Sequence, residues 1–133
     1  MSGPRNVIIK QLPENLTLRY AHNFFTEVQP FLKADKPCLV FDFSDVHHLD
    51  SAGVEMLLRC MEEAMKRNGD VKLAAVSPSV AVILELTRVD RLFEIFENAA
   101  DAVESFYRFP VHAFQRTDAV PGSRPTNGDA DAA

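Results

Sequence analysis

A buried strand gives way to an amphipathic helix in the stretch Val40-Phe41-Asp42-Phe43-Ser44-Asp45-Val46-His47-His48-Leu49-Asp50-Ser51-Ala52-Gly53. The segment 38–43 is apolar and rich in β-forming residues, which predicts a mostly buried strand. Beyond Gly53, apolar residues recur at spacings of three and four, as on one face of a helix: Val54, Leu57, Leu58, Met61, Ala64 and Met65. The stretch therefore predicts a strand, a turn and a helix in succession.

Ser51 falls at the junction between the turn and this helix, at or near the N-cap position. A hydroxyl at an N-cap accepts a hydrogen bond from a backbone N–H of the first turn. A phosphate at the same place meets the positive end of the helix dipole. Ser51 is thus a predicted helix cap or a predicted modification site, and the two roles are compatible.

The composition indicates one soluble globular domain, since the chain has 133 residues, 47% of them hydrophobic and 25% charged. A net charge of −5 argues against a strongly basic nucleic-acid-binding surface. No apolar run approaches the ~18 residues of a membrane span. The N-terminus lacks the apolar segment of a signal peptide. We therefore expect a cytoplasmic protein with neither a membrane span nor direct nucleic-acid binding.

Candidate metal ligands are few. Cys38 and Cys60 do not show a metal-binding spacing, and we expect two buried thiols in a reducing compartment. His47 and His48 are adjacent, so their side chains diverge, and no third ligand lies nearby in sequence. The sequence predicts neither a metal site nor a cofactor.

Strands and helices alternate along residues 5–109, which predicts an α/β domain with a mixed sheet of four to five strands and about four helices. Strands are expected at 7–10, 38–43, 71–76 and 92–96, with a further short one at 16–18. Helices are expected at 20–34 (containing Pro30), 51–68 (ending at Gly69), 78–87 (begun by Ser77-Pro78) and after a cap at Asn98. Residues 117–133 are dominated by Gly, Pro, Ala, Asp and Ser, and we expect a disordered tail over residues 110–133.

The stretch 40–53 resembles the signature of the STAS family, to which the anti-sigma factor antagonists belong. That signature is an apolar strand, an acidic residue, a short turn and then Asp-Ser-x-Gly opening a helix. The segment 83–93 resembles the family's later helix and the exit into its last strand, and 69–73 lies between them at the expected spacing. The resemblance covers roughly residues 6–108 and implies a single STAS-like domain.

The resemblance also implies a function in bacterial partner switching, often in transcription regulation. An unphosphorylated antagonist binds an anti-sigma factor, usually a serine kinase of the histidine-kinase ATPase fold, and so releases the client. The kinase phosphorylates the serine of the motif, the complex dissociates, and a metal-dependent serine phosphatase resets the switch. On this resemblance Ser51 is the phosphorylated residue, Asp50 lies beside it, and Gly53 allows a close approach of the backbone. The protein is expected to be a binding module, with no catalytic residues.

The partner-binding surface is expected to include Asp50, Ser51, Ala52, Gly53, Asp45, His48, Glu55 and Arg59. Several of these have simpler interpretations that remain open. Asp45 is alternatively an Asx-turn residue, and Asp50 a favourable charge near the helix start, or a group that positions Ser51 or a kinase-bound metal. Glu55 and Arg59 fit a solvated helix face equally well.

A second function is compatible with the same resemblance. STAS domains also occur in lipid-transport complexes and in anion transporters, and an accessory subunit of that kind binds an ATPase without phosphorylation. The serine of the motif favours the antagonist. A small-molecule sensor has less support, because the chain lacks a Gly-rich phosphate-binding loop. The sequence is compatible with either a monomer or a weak dimer.

Overall fold

The computed structural model describes residues 6–108. Along the chain the elements are β1 (Val7–Gln11), β2 (Asn15–Leu16), α1 (Leu18–Leu32), β3 (Cys38–Asp42), β4 (His48–Leu49), α2 (Ser51–Lys66), β5 (Asp70–Ala74), α3 (Pro78–Leu86), a 3₁₀ turn (Val89–Arg91), β6 (Ile95–Phe96) and α4 (Ala99–Arg108). The predicted tail at 110–133 lies outside the described residues.

The main sheet has the strand order β1-β3-β5-β6, and β2 pairs with β4 in a separate two-stranded sheet. The predicted single α/β domain with about four helices is confirmed. The expected mixed pairing is corrected, because every pair among the described strands is parallel. Successive strands of the main sheet are joined by crossovers that contain helices, and such crossovers bring strands together in parallel.

The two faces of the sheet carry separate clusters of apolar side chains. Leu39 and Phe41 of β3 belong to the larger cluster, which includes residues of α1, α2 and α3. Cys38 and Val40, which alternate with them, pack with Phe106 of α4 in a smaller cluster. The sheet therefore separates α4 from the helices on the other face.

Several element boundaries differ from those that the sequence predicts. Helix α1 begins at Leu18, so the short strand is Asn15–Leu16 and not 16–18. The last strand is only Ile95–Phe96, because the chain before it forms the 3₁₀ turn. The predicted caps at Ser77 and Asn98 are confirmed by hydrogen bonds from the backbone amides of Val80 and Asp101.

The end of α2 is also built differently from the prediction. Asn68, not Gly69, adopts the left-handed conformation, with φ of 63°. Gly69 donates its amide to the carbonyl of Ala64 at 2.8 Å, which closes the last turn. A Cβ at position 69 would lie 2.0 Å from the carbonyl oxygen of Pro37, so this position requires glycine for space.

A buried lysine holds α4 against the sheet. Lys72 lies on β5, and its ammonium group is 3.0 Å from the carboxylate of Glu94. The same ammonium donates to the hydroxyl of Ser105 at 2.6 Å and lies 4.1 Å from the centroid of the Phe106 ring. Sequence patterns treat Lys72 as an ordinary strand residue, and its burial becomes visible only in the folded chain.

Both cysteines are buried, as predicted, and they do not form a disulfide with each other. Burial raises the pKa of the Cys60 thiol from 9.0 to about 12, with the Arg59 charge lowering it and the Glu63 charge raising it to smaller extents. The Cys60 thiol also contacts the sulfur of Met56 at 3.5 Å. Cys60 is therefore a packing residue and a poor nucleophile.

We expect alkylating reagents to modify neither cysteine in the folded protein at neutral pH, and both cysteines once denaturant is added. Stability should also fall as the pH rises above 9.0, since the Cys60 thiol ionises there only in the unfolded chain. Labelling followed by mass spectrometry checks the first point, and denaturant titrations of wild type and Cys60→Ala check the second. Rapid native labelling of Cys60 would contradict this description.

Candidate functional site

The Asp-Ser-x-Gly segment lies where β4 ends and α2 begins. The N-cap residue of α2 is Asp50, whose Oδ1 accepts a hydrogen bond from the amide of Gly53 at 3.0 Å. Ser51 is the first helical residue and its side chain is exposed. The expectation that Ser51 itself caps the helix is thus corrected by one position. Within residues 6–108, no group is hydrogen-bonded to the Ser51 hydroxyl.

Asp50 makes a second contact with another helix. Its Oδ2 accepts a hydrogen bond from the amide of Leu18, the first residue of α1, at 3.3 Å. The N-cap residue of α1, Thr17, makes no side-chain capping bond of its own. One carboxylate therefore satisfies backbone donors at the starts of two helices.

Gly53 is buried against the small two-stranded sheet. A Cβ at this position would lie 2.2 Å from the carbonyl oxygen of Leu16 and 2.6 Å from Cδ1 of Leu49. Gly53 therefore allows the start of α2 to approach the backbone of β2 in the same chain. Asp50 and Ala52 are both half-buried, so Ser51 is the exposed residue of the motif.

The loop before the motif is held by bonds from distant parts of the chain. Gln11 donates from Nε2 to Oδ2 of Asp45 at 2.7 Å. The backbone amides of His47 and His48 donate to the carbonyl of Glu14 at 2.9 and 3.2 Å, and both side chains are exposed. The loop is thus fixed by backbone contacts that leave its histidine side chains at the surface.

The Asx turn in this loop is made by Asp42. Asp42 accepts a hydrogen bond from the amide of Ser44 at 2.9 Å, so the turn role considered as the alternative for Asp45 belongs to Asp42. No cluster of three potential metal-ligating side chains exists within residues 6–108.

The exposed face of α2 carries Ser51, Glu55 and Arg59 at intervals of four residues. The Arg59 guanidinium lies over the ring of Phe25 in α1, 4.3 Å from its centroid. Arg59 therefore bridges the two helices through a cation–π contact, while Glu55 lies one turn beyond Ser51.

Sequence reasoning missed Leu18 as a member of this site. Leu18 is 73% exposed, and its amide donates a hydrogen bond to Asp50, the residue before Ser51. The alternation of Leu16, Thr17 and Leu18 reads as a short strand, whereas Thr17 is in fact a helix N-cap. Thr is a common N-cap residue, so Thr17 could have been used to predict that α1 begins at Leu18.

The family model described as the STAS domain matches residues 1–102. The chain belongs to the STAS family. Its fold is similar to that of a protein from Thermotoga maritima assigned as an anti-sigma factor antagonist, with 25% sequence identity and a TM-score of 0.72. That similarity covers 77% of this chain and 88% of the Thermotoga protein.

Two further structures show the same fold at lower identity. One is an anti-sigma-factor antagonist (STAS) domain protein from Planctomyces limnophilus, with 20% identity, 74% and 89% of the two chains covered and a TM-score of 0.64. The other is the STAS domain of a SulP transporter from Vibrio cholerae, with 15% identity, 80% and 85% covered and a TM-score of 0.64. This STAS domain therefore shares its fold with both antagonists and transporter domains.

None of the helices between residues 6 and 108 has the length and apolar character that a bilayer crossing requires.

We expect Gly53→Ala to destabilise this STAS domain by about 1–3 kcal/mol, because the added methyl group collides with the backbone of Leu16. The reverse change at an exposed first-turn site, Ala100→Gly in α4, should cost only about 0.5–1 kcal/mol. Urea unfolding monitored by circular dichroism measures both. A Gly53→Ala protein as stable as wild type would contradict the packing of α2 on β2.

Proposed function

We propose that this STAS domain is a non-enzymatic anti-sigma factor antagonist whose partner binding is switched off by phosphorylation of Ser51. The observation that carries the proposal is the exposed Ser51 hydroxyl, unbonded within residues 6–108, at the first position of α2. Asp50 caps the helix and Gly53 packs it, so the serine has no structural duty there. The fold similarity to the Thermotoga antagonist supports the same function.

The partner is an anti-sigma factor that is itself a serine kinase, and a serine phosphatase reverses the modification. In the forward step, Oγ of Ser51 forms a bond to the γ-phosphorus of ATP. The bond from that phosphorus to the β,γ-bridging oxygen breaks, ADP leaves, and the hydroxyl proton passes to a basic group of the kinase. An exposed serine at a helix start gives the kinase access without local unfolding.

The phosphate acts on binding more strongly than on the fold. It adds about −1.5 to −2 charge at neutral pH. The fold tolerates this charge because the N-terminus of α2 offers backbone N–H groups and the positive end of the helix dipole. An interface built around Ser51 loses affinity about tenfold for each 1.4 kcal/mol of repulsion and desolvation.

The surface that remains accessible around Ser51 is mixed in character. It contains the carboxylate of Glu55, the imidazoles of His47 and His48, and the apolar side chain of Leu18. Such a surface fits a partner that buries Leu18 and places its own polar groups near the helix start. A new dianion in the middle of that contact is therefore unfavourable.

The alternative function, an accessory subunit of a transport complex, shares the fold with the Vibrio transporter domain. Such a subunit binds an ATPase without modification and has no need for an exposed serine in the motif. The accessible Ser51 hydroxyl favours the antagonist.

We expect Ser51→Glu to weaken binding to a cognate anti-sigma kinase by about tenfold or more, through added negative charge at the interface. Ser51→Ala should bind as wild type does. A matched control is Ala100→Glu, which adds the same charge to an exposed first turn on the opposite face of the sheet and should leave affinity unchanged. Isothermal titration calorimetry measures the series, and equal affinities for wild type and Ser51→Glu would overturn the proposal.

A further inference from the structure

Asp50 connects two elements that are far apart in sequence. Leu18 and Asp50 are 32 positions apart, and the bond between them joins the first turn of α1 to the residue before Ser51. The two carboxylate oxygens are divided between the helices, with Oδ1 serving Gly53 at 3.0 Å and Oδ2 serving Leu18 at 3.3 Å. The start of α1 is therefore attached to the segment that would carry the phosphate.

The rest of α1 is anchored independently of this bond. Phe24, Phe25 and Val28 are buried in the main core, and Arg59 of α2 stacks on Phe25. The first turn of α1 is less well anchored than the rest of the helix. Leu18 is 73% exposed, and its backbone amide is bonded to the Asp50 carboxylate. A change at Asp50 would therefore alter the first turn of α1 without moving the helix.

We propose that Asp50 is a positioning residue that transmits phosphorylation of Ser51 to the start of α1. The inference rests on the proposed function, in which Ser51 carries a phosphate. A phosphate on the adjacent residue places about −1.5 to −2 charge beside the Asp50 carboxylate and repels it. The longer of the two Asp50 bonds, to the Leu18 amide, is the one expected to break.

Breaking this bond has a direct consequence for partner binding. Leu18 is an exposed apolar residue, and its backbone amide is bonded to Asp50, the residue before Ser51. When the bond is lost, the first turn of α1 frays and Leu18 is no longer presented in one conformation. Phosphorylation then removes an apolar contact in addition to introducing charge.

This coupling between Ser51 and the start of α1 is tested with phosphoserine inserted at position 51 during synthesis, so that no kinase is needed. Water-exchange NMR should show the Leu18 amide exchanging about three- to tenfold faster in the phosphorylated protein, the effect of one lost hydrogen bond. The amide of Val80, which donates to the Ser77 cap of α3 at 3.3 Å, is a matched control and should not change. An unchanged Leu18 exchange rate would overturn the proposal.

The variant Asp50→Asn distinguishes two roles of Asp50, which are coupling Ser51 to the start of α1 and capping α2. The one side-chain oxygen of asparagine can still accept the hydrogen bond from the Gly53 amide. Its NH₂ group is a donor, so the hydrogen bond from the Leu18 amide is lost. Leu18 should exchange quickly in this variant, and phosphoserine at 51 should add no further acceleration. If Asp50 were only a cap, phosphoserine in the wild-type background would leave the Leu18 amide protected.

The contribution of Leu18 to binding is tested with Leu18→Ala against Met65→Ala. Met65 is 63% exposed near the far end of α2 and provides a control for loss of an exposed apolar side chain. We expect Leu18→Ala to weaken binding of the unphosphorylated protein to the anti-sigma kinase, and Met65→Ala to leave it unchanged. Equal affinity in both variants would contradict a contact by Leu18. The two proposals can fail separately. If inserted phosphoserine accelerates exchange of the Leu18 amide but the kinase does not phosphorylate Ser51, the coupling between Ser51 and α1 is retained and the proposed function is rejected.

Discussion

The carboxylate of Asp50 is the interaction on which the architecture of the site depends. It satisfies backbone donors at the starts of α1 and α2, and both helices pack on the same face of the parallel sheet. Because Asp50 performs the capping, the neighbouring serine hydroxyl is left at the surface. The absence of a side chain at Gly53 lets this helix start lie directly on β2. Asp50 and Gly53 thereby make the structural contacts of the motif, and Ser51 between them stays exposed.

The location of Ser51 would allow the proposed modification to change binding while the domain stays folded. The main core lies between the sheet and helices α1 to α3, and α4 covers the other face with the buried Lys72 at its contact. Ser51 contributes to neither cluster. A charge added at Ser51 therefore meets solvent, the start of α2 and any bound partner, but not the packed interior.

Sequence patterns predicted the strand, the turn and α2, since a β-rich apolar run and a three-and-four spacing are local signals. They misplaced the cap by one residue, because Asp and Ser are both good N-cap residues and stand next to each other. They also placed Leu18 in a strand. The Asp50–Leu18 bond, the Gln11–Asp45 bond and the Arg59–Phe25 contact join residues distant in sequence. No local spacing encodes such contacts, so they appeared only with the fold.

The central claim is that Ser51 accepts a phosphate at the start of α2. Its most direct test is mass spectrometry of the full chain after incubation with Mg²⁺, ATP and a cognate anti-sigma kinase, with Ser51→Ala treated in parallel. We predict one phosphate, located on Ser51 by fragmentation, and none on the variant. An unmodified Ser51 in the presence of an active kinase, or a phosphate on another residue, would contradict the claim.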